Sequence, residues 1–418
     1  MTFKFVFSVS VFLLITFSTL FAQREIETKN LRSKFAKKEN RIKFEQQINQ
    51  LIDTSFSKPI SKLNSKQWHK AFNDASLYFI KKDTIEHSLD YVFDNYKIVN
   101  DKLLYRSIQT AYTLYPDKFH LQIENIFNET NNPSIFSASA LYILNIKGIE
   151  YIKVSLRTKF LNYKLEPILK FFDFYLESKL NPIPPLGDLF KHNFQSGKTI
   201  VYSIQRKDRR YTGLTIIRSP DGRFVRNNDG TIFNIPHLAL SVSNFPGILK
   251  NGNTPQGIYS IQKFYYTPTE SIGPSPILLS RIPFEIDAKI FFHGTIKYNN
   301  YKIEDYRNLL PNTWQEYLPI YESYYAGQSG RRLIVAHGSA DDPNYYLDKI
   351  YSPFAPTKGC LSAKEIWDQK GKLVESDQIK LMNAFFSTRQ LYGFLVVIEI
   401  DDKMKPVQLE DILRYIEQ

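Results

Sequence analysis

Cysteine is almost missing from this chain. Of 418 residues only Cys360 is one. A lone cysteine excludes an intrachain disulfide framework and any Cys-x-x-Cys metal module. Beyond the first 22 residues no apolar run is long enough to cross a bilayer. Acidic residues are the minority charge, 42 against 54 Lys and Arg, for a formal net charge of +12. That balance suits anionic surroundings or a solvated basic surface, and no recognition motif points to nucleic acid. At 43% hydrophobic and 23% charged the composition is that of a folded protein, and its length allows two or three domains.

The first 22 residues read as an export signal. Lys4 precedes the apolar run Phe5 to Phe21, and Ala22-Gln23 follows. Export to the periplasm or cell envelope is the expectation, with an uncleaved anchor as the alternative. An unpaired cysteine in an oxidising compartment is a flag for reactivity, against the plainer reading of a small buried hydrophobe.

From Arg24 to Lys58 charges alternate at helical spacing, and an exposed helix is expected over Lys37 to Ile52. Residues 23–180 read as a helical domain. Apolar positions recur at helical spacing through Leu89, Val92, Phe93 and Tyr96, then Leu103, Leu104, Ile108 and Tyr112. Asn132-Pro133-Ser134 marks a further helix start. The pattern is solenoid-like, with a protein partner as a possible use. Pro182, Pro184 and Pro185 then make residues 181–194 a Pro-rich linker.

After the linker the period changes to that of strands. Strands are expected at Lys198–Gln205, Tyr211–Arg218, His237–Ser243, Ile258–Phe264, Lys289–Phe292 and Gly393–Ile400. Helices are expected at Ala363–Trp367 and Asp377–Thr388, and residues 403–418 read as a tail. The fold class is α+β: an N-terminal all-helical domain followed by a mainly β domain over residues 195–402.

The chemistry concentrates near the C-terminal end. An apolar stretch delivers His337-Gly338-Ser339, and a polar loop leads to Thr357-Lys358-Gly359-Cys360-Leu361-Ser362. A thiol nucleophile needs a neighbouring base, and an imidazole can supply it. A second His-Gly pair, His293-Gly294, makes His293 a rival base. His337 is favoured because it lies nearer Cys360 in the chain. Were His293, His337 and Cys360 to meet, they could hold zinc, but no ligand-spaced pattern supports a metal, and no cofactor is expected.

Thr254-Pro255-x-Gly257, then His-Gly, then Thr-x-Gly-Cys, in that order on a β-rich background, resemble the L,D-transpeptidase (YkuD-like) catalytic domain over residues 195–402. The resemblance implies a cysteine acyltransferase acting on peptidoglycan stem peptides through a thioester, with Cys360 as nucleophile and His337 as base. It implies that a carbonyl at Gly338 or Ser339 orients the imidazole. The N–H groups of Gly359 and Cys360 would form the oxyanion hole, and Thr357, Lys358, Ser362 and His293 would face substrate. Lys358 stands where the family has His, and Ser362 where it has Arg or Asn, which leaves the substrate open. Arg331, Arg332 and Lys358 lie close enough in sequence to serve a substrate carboxylate, and for Arg331 and Arg332 solvated loop charges are the preferred reading. The alternatives are a carboxypeptidase- or endopeptidase-type hydrolase using the same pair, or a non-catalytic cell-wall-binding protein.

Overall fold

The computed structural model describes residues 25–177, 182–195 and 197–416; the export-signal reading lies outside them. Among the described residues no helix is long and apolar enough to cross a membrane.

The N-terminal region is helical because its apolar residues fall on single faces. Seven helices run Lys38–Phe56, Ser65–Leu77, Asp83–Asp94, Asp101–Leu114, His120–Glu129, Pro133–Lys159 and Pro167–Glu177. In the third, Ile85, Leu89, Val92 and Phe93 are buried at helical spacing. Asn100 caps the fourth by accepting from the Leu103 N–H at 3.0 Å, and Asn132 caps the sixth ahead of Pro133. Gly148, at φ +78°, breaks that sixth helix in two. The helices share one core, and Phe245, Ile248, Leu249 and Ala326 of the second half belong to it. The helical layer is therefore packed against the sheet rather than held away from it.

The second half is built on an eight-stranded mixed sheet. Its strands are β2 (Thr199–Arg206), β3 (Gly213–Arg218), β4 (Ile235–His237), β5 (Gly257–Tyr265), β6 (Ile277–Arg281), β7 (Ala336–His337), β8 (Leu361–Ser362) and β11 (Gly393–Asp401). They are ordered β4-β3-β2-β11-β5-β6-β7-β8. Only β11–β2 and β7–β8 are parallel. The two edges meet: Leu238 and Ser362 exchange backbone hydrogen bonds, and Val242 and Thr357 extend the contact. One face encloses Val201, Tyr259, Leu278, Ala336, Leu361 and Val397. Along β2, β11 and β5 the other face packs on Trp314, Tyr306 and Phe291.

A smaller sheet joins β1 (Arg32–Lys37) to β10 (Lys370–Ser376) and β9 (Glu365–Trp367), in the order β1-β10-β9. The helix expected to stand exposed near Lys37 follows directly from β1. It buries Ile48 and Ile52, and its Arg41 guanidinium donates to the Ala340 and Asp341 carbonyls, both at 2.9 Å.

Several local expectations differ from the structure. Lys289–Phe292 was expected as a strand, but Ala288–Phe291 is a helical turn; a four-residue apolar run has no period to decide between the two. Glu365–Trp367 is a strand, not the start of a helix, because β10 offers it an antiparallel partner. The third strand ends at His237, and residues 238–242 continue as the extended edge just described. Within the segment read as linker, Leu186–Lys191 form a helix whose Leu189 and Phe190 are core residues. The segment read as a tail buries Val407 and Ile412, and the fully buried Arg206 bridges its Asp411 to Asp401.

Candidate active site

Cys360 and His337 are brought together by strand register. On β7 and β8 Ala336 pairs with Leu361 and His337 with Ser362, and on β6 Leu278 pairs with Ala336. Ala336, Leu361 and Leu278 point into the enclosed core. Side chains alternate along a strand, so Val335, His337, Cys360 and Ser362 share the opposite face. Cys360 packs there against Ile277, Leu279 and Val335. Cys360 and His337 are thus diagonal neighbours on adjacent strands, roughly 7–8 Å apart between backbone positions, and no hydrogen bond joins their side chains: the thiol is directed to the Leu333 carbonyl and the imidazole to that of Gly338.

The imidazole is held in one orientation. His337 is buried, and its Nδ1–H donates to the Gly338 carbonyl at 2.6 Å. Nε2 has no partner among the described residues and is free to take a proton. Of the two carbonyls considered for this role, that of Ser339 instead accepts from Trp367 Nε1 at 2.9 Å. Burial pushes the His337 pKa below its ordinary value, opposed by the Gly338 carbonyl, Asp341 and Glu365. The ring is therefore neutral near pH 7, as a base must be.

The thiol is half-buried, and in this resting arrangement it donates to the Leu333 carbonyl at 3.4 Å rather than to His337. Leu333 is at φ +59°, a left-handed conformation costly for a side chain of its size. Burial raises the Cys360 pKa above its ordinary value, countered by the Val335 N–H, Arg331 and Lys358. Thiol and imidazole thus rest as a neutral pair.

The turn that presents Cys360 is knotted by two threonines. Thr357 Oγ1 donates to the Cys360 carbonyl at 2.9 Å and accepts from the Gly359 N–H at 3.0 Å. Thr254 Oγ1, from the upstream Thr-Pro-x-Gly segment, reaches the same carbonyl at 3.3 Å. The Gly359 N–H is therefore committed and does not serve as an oxyanion donor; the Cys360 N–H has no partner among the described residues. What Gly359 supplies is room. At φ +114°, a Cβ would lie 2.0 Å from Arg331 Nη2 and 2.7 Å from the Gly252 carbonyl.

Arg331 was read as a solvated loop charge, and the structure corrects this. It is 6% exposed and donates to four carbonyls: Gly247, Asn253 (2.9 Å), Gly252 (3.0 Å) and Lys358 (3.3 Å). It ties the loop at 247–254 to the cysteine turn. Arg332, by contrast, is exposed and bonds the Phe284 carbonyl at 3.1 Å.

Glu365 was not singled out in the sequence. Its carboxyl lies beneath Gly338, where a Cβ would come within 2.2 Å of it. One oxygen accepts from Ser376 Oγ at 2.7 Å and from Ser275 Oγ, and the other has no partner. Burial pushes its pKa up to about 7, opposed by those two hydroxyls and by His337. Asp341, bonded to Ser339 Oγ at 3.3 Å, is likewise pushed up to about 6 by burial. No signal in the sequence marks either acid: Glu365 is set by Ser275, 90 residues away, and Asp341 by its burial.

The remaining candidates separate. His293 Nε2 bonds the Gly393 carbonyl at 2.9 Å and Ser260 Oγ at 3.2 Å, at β11 and β5. With β6 and β7 between β5 and β8, it lies on the order of 14 Å from the cysteine strand. It does not join Cys360 and His337, so the three cannot share a metal. Ser362 is fully buried, its Oγ without a partner, and faces no substrate. Thr357 shapes the turn. Lys358 alone of the proposed substrate contacts is exposed.

Compared with known proteins, the chain matches no family model, no curated protein and no solved structure.

Proposed function

We propose that this chain is a cysteine acyltransferase of the L,D-transpeptidase kind, exported to the cell envelope and acting on peptidoglycan stem peptides. The observation that carries the reading is the parallel β7–β8 pairing. It sets Cys360 and His337 diagonally on one face, with the imidazole locked by the Gly338 carbonyl. The order of the Thr-Pro-x-Gly, His-Gly and Gly-Cys segments supports the family resemblance, and the Thr254–Cys360 contact joins the first of them to the last.

The reaction follows from these groups. The thiol leaves the Leu333 carbonyl and passes its proton to His337 Nε2. Sulfur attacks an amide carbon of the stem peptide, and the Cys360 N–H donates to the oxyanion, a contact commonly worth about 10²–10³ in rate. His337 returns the proton to the leaving amine as the C–N bond breaks, leaving a thioester. An acceptor amine then gives its proton to His337, attacks the thioester and expels the thiolate.

The test is incubation of the full chain with a stem tetrapeptide and an amine acceptor, followed by intact-mass and product analysis. The reading predicts an acyl adduct on Cys360 and a cross-linked product. An adduct that yields only the shortened peptide would make the protein a hydrolase. No adduct and no product would leave a wall-binding role.

A further inference from the structure

What fixes the loop behind the base lies outside the large sheet. β7 ends at His337, and each of the next four residues meets one smaller unit. Gly338 lies on the Glu365 carboxyl of β9. The Ser339 carbonyl accepts from Trp367 Nε1, also of β9, at 2.9 Å. The Ala340 and Asp341 carbonyls both accept from Arg41 Nη2, each at 2.9 Å.

These donors belong to a single body. Arg41 stands in the first turn of the helix Lys38–Phe56, which grows directly out of β1. β1 pairs with β10, and β10 with β9, which carries both Trp367 and Glu365. Apolar packing closes the unit around the loop: Phe35, Ala36 and Ala340 form one buried cluster, with Phe44 and Trp367 against it. Burial pulls the Arg41 pKa down, and Asp342 and Asp341 oppose it. The guanidinium stays a cation, facing two carbonyls with one nitrogen.

The imidazole has one anchor, the Gly338 carbonyl. The direction of that carbonyl is the direction of the 338–339 peptide plane, and each residue leaves two soft dihedrals on which the plane can turn. A loop free to turn would carry the ring with it. Three successive carbonyls pinned just downstream, at 339, 340 and 341, remove that freedom. The Ala340 N–H adds a fourth hold, donating to the Ser271 carbonyl at 2.7 Å.

We infer that Arg41 and Trp367 are positioning residues for His337. They hold the loop at 338–341 so that Nδ1–H stays on the Gly338 carbonyl and Nε2 stays free. The segment at 32–41, far from the cysteine in the chain, thereby completes the site, and the small sheet has a function beyond stability. That His337 is a base rests on the proposed acyltransfer; that its ring is set by this unit rests on the pinned carbonyls alone.

The test uses the full chain with nitrogen-labelled histidine, the His337 signal being assigned by its loss in His337→Ala. Near neutral pH the wild type is expected to show one neutral tautomer, protonated on Nδ1. Arg41→Met and Trp367→Phe should each show a mixture of tautomers. In parallel, acylation of Cys360 by a carbapenem is followed at saturating probe. It should slow between about tenfold and about 10²-fold in both variants, the scale for a reacting group out of place, with the half-saturating concentration unchanged. Arg41→Lys keeps a cationic donor and should lie between wild type and Arg41→Met. Ile52→Val trims the core of the same helix without touching the loop, so it should match wild type in tautomer and rate. Wild-type tautomer and rate in both variants, or equal slowing in Ile52→Val, overturns the inference. If Arg41→Met does not fold, Trp367→Phe, which keeps an aromatic ring and loses the N–H, decides alone. A tautomer mixture in a protein whose Cys360 is never acylated keeps the positioning and sinks the acyltransfer; acylation unchanged in both variants does the reverse.

Discussion

The two His-Gly pairs look alike in sequence and have different reasons to exist. At 337–338 the glycine is needed for space: φ is not positive, but a Cβ would strike the Glu365 carboxyl at 2.2 Å. At 293–294 the glycine is needed for its backbone angle: φ is +81°, and a Cβ would meet nothing within 4 Å. His337 sits on a strand, its Nδ1 tied to the next residue's carbonyl and its Nε2 free. His293 follows a short helix and spends Nε2 on the Gly393 carbonyl. A histidine that can accept a proton beside a thiol is distinguished from one that holds a strand end by which nitrogen is free, and a dipeptide does not encode that.

The comparison can be broken most sharply at the histidines themselves. His337→Ala is expected to slow acylation of Cys360 by about 10²–10⁴, the usual contribution of a general base. His293→Ala should leave the rate within about twofold while lowering the melting temperature. Reversed outcomes, read by the rate of adduct formation, would make His293 the base. The glycines come next. Gly338→Ala should cost about 1–3 kcal/mol in denaturant unfolding and slow acylation at least tenfold, because the imidazole's carbonyl anchor moves. Gly294→Ala should cost about 1–2 kcal/mol, from the angle alone, with acylation unaffected.

Arg331→Met tests the frame around the nucleophile. Four carbonyls lose a donor, and a loss of about 2–4 kcal/mol is expected, together with slower acylation. Normal stability and rate in that variant would show that the 247–254 loop and the cysteine turn hold each other without it.

The smallest effect is in pH. Acylation needs neutral His337, whose pKa lies below the ordinary 6.5, so the rate should fall only in mild acid and stay level through neutrality. A further rise belongs above the ordinary thiol range, because Cys360 is shifted up. His337→Ala should lose the acid limb and keep the alkaline one, whereas His293→Ala should keep both. Stability carries a separate signature from Glu365. Its folded pKa of about 7 is above the unfolded value near 4.5, so the folded state holds the extra proton. That contribution is complete below about pH 4.5 and is lost as pH rises through about 7. Glu365→Gln should flatten the slope in that window by about 1–3 kcal/mol.

Much of the helical half was legible because Ile85, Leu89, Val92 and Phe93 repeat at a helical period, and a local period needs no knowledge of partners. The long strands β2, β5 and β11 were legible for the same reason. The short elements were not. Glu365–Trp367 becomes a strand only because β10 lies beside it. Arg32–Lys37 carries three positive charges among six residues and pairs with Lys370–Lys372, more than 300 residues on. At the site, residue types pointed to Cys360 and His337 as a pair to be tested. The buried Arg331 and Glu365 under Gly338 are products of nonlocal contacts, and the Gly359 N–H is spent two residues back, on Thr357, in a turn whose shape residue types alone do not fix. Nothing separates Arg331 from Arg332 in the sequence, yet one is the clamp and the other a surface charge.

The central claim is that Cys360 is a nucleophile. The most direct measurement is the intact mass of the full chain after incubation with a carbapenem, an acylating probe, for wild type and Cys360→Ala side by side. The account predicts one stoichiometric adduct on wild type and none on the variant. An unmodified wild type, or an adduct that survives Cys360→Ala, would contradict it.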